Sequence, residues 1–163
     1  MARPVALLLP DESTHTRLEL REEALSLLRN IDGPVSVIAV VGAYRTGKSW
    51  LLNELMRLGC DEGFVVGHQR HTQTKGVWIL PQAEVNGTTR IYMDTEGFEG
   101  STPTPAGMHA RARGVASKKR ARRGGVTCAA SRLAAGQAQV YDDRIFAFSA
   151  LVASVLVYNL AET

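Results

Sequence analysis

Residues 42–49 read Gly-Ala-Tyr-Arg-Thr-Gly-Lys-Ser and match the spacing G-x-x-x-x-G-K-S at every fixed position. They follow the apolar run 34–41, predicted to be a buried strand, and precede residues 50–57, whose apolar positions have roughly helical spacing. In this context the glycines let backbone N–H groups point at a polyphosphate. Lys48 would approach its outer phosphates and Ser49 would offer a hydroxyl to Mg²⁺. The pattern therefore predicts a phosphate-binding loop.

An acidic motif, Asp94-Thr95-Glu96-Gly97, ends a second apolar run further along the chain. Asp94 is suitably placed to reach a Mg²⁺ ion, and the Gly97 N–H to meet a γ-phosphate oxygen. The threonine-rich segment 71–76 lies between the two motifs, and a threonine hydroxyl there can bind Mg²⁺ only when the γ-phosphate is present. Acidic residues at strand ends are commonly turn formers, so the prediction depends on finding all three motifs together.

The rest of the chain alternates between strand-like and helix-like patterns. Strands are predicted over 5–9, 16–20, 76–81, 89–94 and 151–158, and helices over 21–29 and 141–150. Asn86-Gly87 predicts a hairpin that joins two antiparallel strands, and the run 151–158 is interpreted as a fully buried strand. With 163 residues the chain has the size of one domain. We expect an α/β fold, a three-layer P-loop NTPase domain with a mostly parallel sheet.

Basic residues are concentrated in one segment, 101–139, which holds eight Lys or Arg and no Asp or Glu. The rest of the chain then has 11 basic and 16 acidic residues, which gives no sign of a nucleic-acid-binding surface. The segment is rich in Ala, Gly and Arg and shows no sustained period, so we interpret it as a disordered, solvated insertion. Contact with RNA, an anionic membrane or a localisation receptor is the alternative.

Two cysteines, Cys60 and Cys128, lie far apart and show no C-x-x-C spacing, so neither a disulfide framework nor a zinc site is indicated. His68 and His71 are interpreted as loop histidines because no further metal ligand is near them in sequence. No apolar run reaches the 18 residues that a membrane span needs. These observations suit a cytoplasmic protein without a transmembrane segment.

Together, Tyr-Arg-Thr-Gly-Lys-Ser-Trp-Leu-Leu-Asn, Thr-Lys-Gly-Val-Trp, Met-Asp-Thr-Glu-Gly and Val-Tyr-Asn-Leu resemble the large GTPase domain of guanylate-binding proteins. Atlastins are more distant relatives in the same dynamin-like superfamily. The resemblance spans most of residues 4–100 and 140–163. It implies a GTP-binding, Mg²⁺-dependent GTPase that hydrolyses GTP to GDP and phosphate, with possible nucleotide-dependent self-association through the GTPase face.

The resemblance also assigns roles to individual residues. Arg45 matches the family's catalytic arginine, which could stabilise transition-state charge in cis, although a solvated loop arginine is the alternative. Glu96 matches a glutamate that helps organise the attacking water, and Thr72 stands where the family usually has a serine in that network. The Mg²⁺ ligands implied are Ser49, Thr74 and Asp94. The implied nucleotide-binding residues are Gly42, Tyr44, Arg45, Thr46, Gly47, Lys48, Ser49, Trp50, Thr74, Asp94 and Gly97.

Two departures from the family pattern bear on function. The family joins the segments on either side of 101–139 by only a few residues, so the insertion lies in the second nucleotide-sensing segment; a retained intron is an alternative origin. The chain also ends before the family's guanine-recognising Arg-Asp motif, so we expect a domain truncated on its C-terminal side that separates GTP from ATP poorly. Alternative functions are a nucleotide-binding switch or assembly module without appreciable turnover, an ATPase and an atlastin-like membrane tether.

Overall fold

A computed structural model describes residues 3–11, 17–59, 62–66, 74–98 and 127–160, with side chains for all of these except 83–85 and 127–138. In chain order, the elements of these segments are β1 (Val5–Pro10), β2 (Leu18–Leu20), α1 (Glu22–Arg29), β3 (Val35–Gly42), α2 (Lys48–Met56), β4 (Val77–Val85), β5 (Thr88–Thr95), α3 (Thr127–Val152) and β6 (Val155–Asn159). The predicted alternation of strands and helices is therefore confirmed in outline.

The six strands form one sheet in the order β2-β1-β4-β5-β3-β6. β3 pairs in parallel with both β5 and β6, whereas the pairs β1–β2, β1–β4 and β4–β5 are antiparallel. The prediction of a mostly parallel sheet was therefore wrong, because three of the five pairings are antiparallel. The β4–β5 hairpin contributes one of them, and β1 adds two more by lying between β2 and β4.

Helices cover both faces of the sheet. Alternating side chains of each central strand point to opposite sides, as the strand period requires. On one face, α1 and α3 pack over a core that includes Ala39, Ile79 and Ile91; on the other, α2 packs over a core that includes Val40 and Leu80. The fold is thus a mixed α/β sheet between two helical layers.

The hairpin between β4 and β5 has the geometry that its sequence predicts. Asn86 and Gly87 both have positive φ, 54° and 77°, as a two-residue turn of the primed type requires. The register pairs Val85 with Thr88, shifts between Val85 and Gln82, and then runs to Val77 opposite Thr95. The start of β4 and the end of β5 therefore lie at the same end of the sheet.

β6 differs from its prediction. The run 151–158 was expected to be a fully buried strand, but the helix continues to Val152 and the strand begins only at Val155. Its residues are exposed or intermediate, with Val155 51% and Tyr158 54% exposed. The physical reason is its position at the edge of the described sheet, where it pairs with β3 alone.

Helix α3 is much longer than the predicted helix over 141–150. It begins at Thr127, so residues 127–139, the last part of the predicted insertion, have a helical backbone. Residues 101–126 lie outside the described residues, and the insertion itself stays a prediction. Among the described helices, none is long and apolar enough to span a membrane.

Candidate functional site

Most of the predicted site residues that the structure describes lie at one end of the sheet, where β3 and β5 finish. Because β3 and β5 run parallel, their carboxyl ends lie side by side, and the segments 42–49 and 94–98 leave from the same place. Because β4 is antiparallel to β5, its first residues, which follow shortly after Thr74, lie at the same end of the sheet. Ligand sites of α/β sheets commonly form in such a crevice beyond the carboxyl ends of parallel strands.

The loop 42–47 turns sharply into α2. Gly47, directly before the helix, has φ +81°, a left-handed conformation that favours glycine. The helix begins at Lys48, so its first N–H groups and the positive end of its dipole face the loop. Lys48 is only 6% exposed and its Nζ donates to the Ala43 carbonyl at 3.0 Å. The loop therefore surrounds a buried cation.

Three side-chain oxygens meet beside this lysine. The Ser49 hydroxyl donates to Asp94 Oδ2 at 2.7 Å, the Thr74 hydroxyl donates to the same oxygen at 3.1 Å, and the two hydroxyls are 3.4 Å apart. Asp94 is 1% exposed, and its Oδ1 has no hydrogen-bond partner, the one such buried side-chain atom in the described part of the chain. Ser49, Thr74 and Asp94, predicted as Mg²⁺ ligands, thus form one cluster.

The electrostatics of the cluster suit a cation. Burial raises the pKa of the Asp94 carboxyl, an effect that the Ser49 and Thr74 hydrogen bonds and the Lys48 charge partly oppose. Burial lowers the pKa of Lys48, while the carboxylates of Asp94 and Glu96 act in the other direction. A partly buried, oxygen-only donor set with one unpartnered carboxylate oxygen on Asp94 fits Mg²⁺, which prefers oxygen ligands.

The segment after β5 is bonded directly to the loop. The Phe98 N–H donates to the Gly42 carbonyl and the Tyr44 N–H donates to the Phe98 carbonyl, both at 3.1 Å. A Cβ on Gly97 would overlap the Tyr44 backbone and lie 3.0 Å from Lys48 Nζ. Only glycine fits there without a shift, and the close packing keeps the Gly97 backbone beside the phosphate loop.

Glu96 links three parts of the site. Its Oε2 accepts a hydrogen bond from the Gly76 N–H at 2.9 Å and another from the Tyr141 hydroxyl of α3 at 2.8 Å. Its own N–H donates to the Gly76 carbonyl at 2.8 Å. Burial, followed by the hydrogen bond to Glu96, raises the pKa of Tyr141, so that its hydroxyl stays protonated.

Asn159, the last residue of β6, holds the loop from its other side. Its Nδ2 donates to the Thr46 carbonyl at 2.9 Å, and the Thr46 hydroxyl donates to the Ala43 carbonyl at 3.0 Å. Sequence reasoning did not single out Asn159 or Tyr141 as site residues. The signal was available for Asn159, because a polar residue ends an apolar strand predicted to lie parallel to β3.

The remaining predicted residues are placed less closely. Arg45 is exposed and has φ 62°, and Trp50 is 55% exposed on the first turn of α2. In the described part of the chain, no hydrogen bond joins the Arg45 or Trp50 side chain to the oxygen cluster, and their roles stay predictions. Thr72, His68 and His71 lie outside the described residues.

The chain has recognisable relatives. A family model described as "Guanylate-binding protein, N-terminal domain" matches residues 15–106, more than half of the chain. The chain belongs to the guanylate-binding protein family. It is 42% identical over 101 residues to mouse (Mus musculus) guanylate-binding protein 1, and 40% identical over 100 residues to human (Homo sapiens) guanylate-binding protein 5. These alignments cover 61% and 60% of this chain but only 16% of each relative.

The matched region coincides with the site. It contains the phosphate-binding loop, Thr74 and the motif that begins at Asp94, whereas α3 and β6 follow it. A match to the N-terminal domain of guanylate-binding proteins confirms the resemblance inferred from the motifs. Tyr141 and Asn159 lie outside the matched residues, so only the structure connects them to the site.

Proposed function

We propose that this chain binds GTP together with Mg²⁺ and hydrolyses it to GDP and phosphate, as part of a guanylate-binding-type P-loop GTPase domain. The observation that carries the proposal is the cluster of Ser49, Thr74 and Asp94 beside the buried Lys48 at the start of α2. A buried cation, helix N–H groups and an oxygen-only metal site together suit a Mg²⁺-bound polyphosphate.

In this proposal each side of the site has a separate binding role. The loop 42–49 binds the phosphates through its backbone N–H groups, and Lys48 supplies positive charge toward the outer ones. Ser49, Thr74 and Asp94 hold the Mg²⁺, which would neutralise phosphate charge. The Gly97 N–H, kept beside the loop by its packing on Tyr44, contacts the terminal phosphate.

Hydrolysis then requires a positioned water and a counter-charge for the transition state. Hydrogen bonds from Gly76 and Tyr141 hold Glu96 at the same end of the sheet, and its charge interacts with that of Lys48. We propose that Glu96 orients the attacking water, with Thr72 as its partner in this role. Arg45 is exposed on the loop, and we propose that it stabilises the charge of the transition state. In other GTPases this role increases turnover about 10³-fold or more.

Partners and setting extend the same proposal. Arg45, on the loop 42–47, and Trp50, on the first turn of α2, are both exposed, so we include nucleotide-dependent self-association through the GTPase face. A reducing cytoplasm suits Cys60 and Cys128, which show no paired spacing. A nucleotide switch that binds without turnover is the second candidate, favoured by the exposed Arg45, whose side chain forms no hydrogen bond or ion pair with another described residue that would hold it over the phosphates.

The experiment is a binding and single-turnover assay on the chain as it stands. With Mg²⁺, wild-type protein should bind GTP and convert it, whereas Lys48→Ala should abolish binding because it removes the buried charge directed at the phosphates. Arg90→Ala, an exposed cation at the opposite end of β5, is the control and should bind normally. Unchanged affinity of Lys48→Ala would refute the phosphate-loop assignment.

Turnover separates the two candidates. Arg45→Ala should leave GTP affinity within a few-fold and reduce the single-turnover rate by about 10³-fold. Binding without any conversion by the wild-type chain would instead favour the switch. Competition of ATP against labelled GTP tests base selectivity, and a preference for GTP above about 100-fold would show that a residue of this chain reads the base.

A further inference from the structure

Tyr141 belongs to α3, an element that carries none of the motifs that define the phosphate and metal sites. Its hydroxyl nevertheless donates to Glu96 Oε2 at 2.8 Å, across the end of the sheet. The same oxygen accepts from the Gly76 N–H at 2.9 Å. One carboxylate oxygen therefore joins the start of β4, the end of β5 and α3, the three elements that meet around the proposed hydrolytic group.

We propose that Tyr141 is a positioning residue, whose hydroxyl fixes the direction of the Glu96 carboxylate for hydrolysis; this inference rests on the proposed function. The Glu96 backbone is already held by its N–H bond to the Gly76 carbonyl at 2.8 Å. With its main chain and one carboxylate oxygen both fixed, the side chain keeps little rotational freedom. Fixed geometry of this kind is what orientation of a water requires.

The donor itself is rigid. Tyr141 is 9% exposed and packs in the core formed by α1, α3 and the sheet, where Ile145, one turn further along α3, is fully buried. A packed aromatic ring has only two side-chain torsions, so its hydroxyl cannot follow Glu96 if that residue moves. The orientation of Glu96 thus depends on where α3 lies, which connects the catalytic carboxylate to a helix outside the nucleotide motifs.

A merely structural role would be a bond that ties α3 to the sheet. The two roles differ in what a Tyr141→Phe substitution changes, because phenylalanine keeps the packed ring and removes only the hydroxyl. A structural bond affects the stability of the fold, whereas a positioning bond affects the hydrolytic step and acts only through the Glu96 carboxylate. Substitutions at Tyr141 and at Glu96 must then have non-additive effects on the rate of hydrolysis.

The test is a double-mutant cycle on single-turnover GTP hydrolysis, with GTP affinity measured in parallel. Tyr141→Phe should lower the rate about tenfold, as loss of a hydrogen bond to a charged group predicts, and leave the Kd for GTP within about twofold. In a Glu96→Gln background the same substitution should change the rate by less than about twofold. Tyr158→Phe, on the exposed face of β6, is the matched control and should behave as wild type.

The outcomes separate the inference from the function on which it rests. If wild type hydrolyses GTP and Tyr141→Phe does so at the same rate, or if the two substitutions are additive, the positioning role is refuted and the GTPase assignment stands. An equal loss of affinity and rate in Tyr141→Phe would also refute it, in favour of a structural bond. A wild-type chain that binds GTP without converting it overturns both.

Discussion

β5 and β6 flank the same strand, β3, and run in the same direction, yet their surroundings are opposite. β5 lies between β3 and β4 and its last five residues are all buried. β6 pairs with β3 alone, and its residues are exposed or half-buried. Both strands end beside the phosphate-binding loop. The comparison shows that position in the sheet, and not apolar composition, decides how far the end of a strand is buried from solvent.

The difference sets the chemistry at each strand end. Asp94 near the end of β5 is 1% exposed and faces Lys48, where low dielectric strengthens every charge interaction. Asn159 at the end of β6 is half-buried and neutral, and its amide only bonds the loop backbone. We infer that β5 supplies the charged part of the site and β6 its mechanical support.

The largest effect expected is on stability, from truncating isomeric side chains on the two strands. Ile91→Ala on β5 removes a side chain that is 2% exposed and should reduce the free energy of unfolding by about 3 kcal/mol. Leu156→Ala on β6 removes one that is 38% exposed and should cost about 1 kcal/mol or less. Urea unfolding of both variants measures the difference.

Protein concentration sharpens this first test. If the exposed face of β6 is covered by self-association, the Leu156→Ala loss should grow with concentration, because mass action couples association to stability. Equal losses for the two variants at the lowest concentration would contradict the contrast between a buried and an exposed strand.

The next effect concerns the charged end of β5. Asp94→Ala should weaken Mg²⁺-dependent GTP binding about 100-fold, or roughly 2.7 kcal/mol, because it removes the buried carboxylate proposed as a metal ligand. Affinity measured in EDTA should change much less. Calorimetry with and without Mg²⁺ gives both numbers, and an equal loss under the two conditions would exclude Asp94 as a metal ligand.

The sharp turn of the loop 42–47 into α2 and the hairpin could be predicted because their signals are local. Gly47 and Lys48 at fixed spacing, and Asn86-Gly87 between two apolar runs, specify backbone geometry within a few residues. The burial of β6 could not be predicted, since it depends on which neighbours flank the strand. The Tyr141–Glu96 bond was beyond sequence reasoning for the same reason, because it joins residues 45 positions apart.

The supporting role of β6 predicts a smaller effect on binding. Asn159→Ala removes one neutral hydrogen bond to the Thr46 carbonyl and should weaken GTP binding about five- to tenfold, roughly 1 to 1.4 kcal/mol, with and without Mg²⁺ alike. Asn30→Ala, at an exposed position after α1, is the control. A Mg²⁺-dependent loss in Asn159→Ala would mean that β6 contributes to the metal site after all.

The smallest effect is a gain in stability. In EDTA and without nucleotide, Asp94→Asn should raise the free energy of unfolding by about 1 kcal/mol, because a neutral amide replaces a buried carboxylate whose Oδ1 has no partner. Asp32→Asn, at an exposed position, should change it by less than about 0.5 kcal/mol. Urea unfolding at matched pH compares the two.

The gain should also depend on pH in a defined direction. Burial raises the folded-state pKa of Asp94 above its ordinary value of 3.8, so the folded protein binds this proton more tightly than the unfolded chain. The contribution of Asp94 to wild-type stability is thus fully present below the unfolded pKa and is lost as pH rises through the folded one. The advantage of Asp94→Asn should therefore be smallest at a pH below 3.8 and should widen as the pH is raised above it. A variant less stable than wild type throughout that rise would show that attraction between Asp94 and Lys48 outweighs the cost of burying the charge.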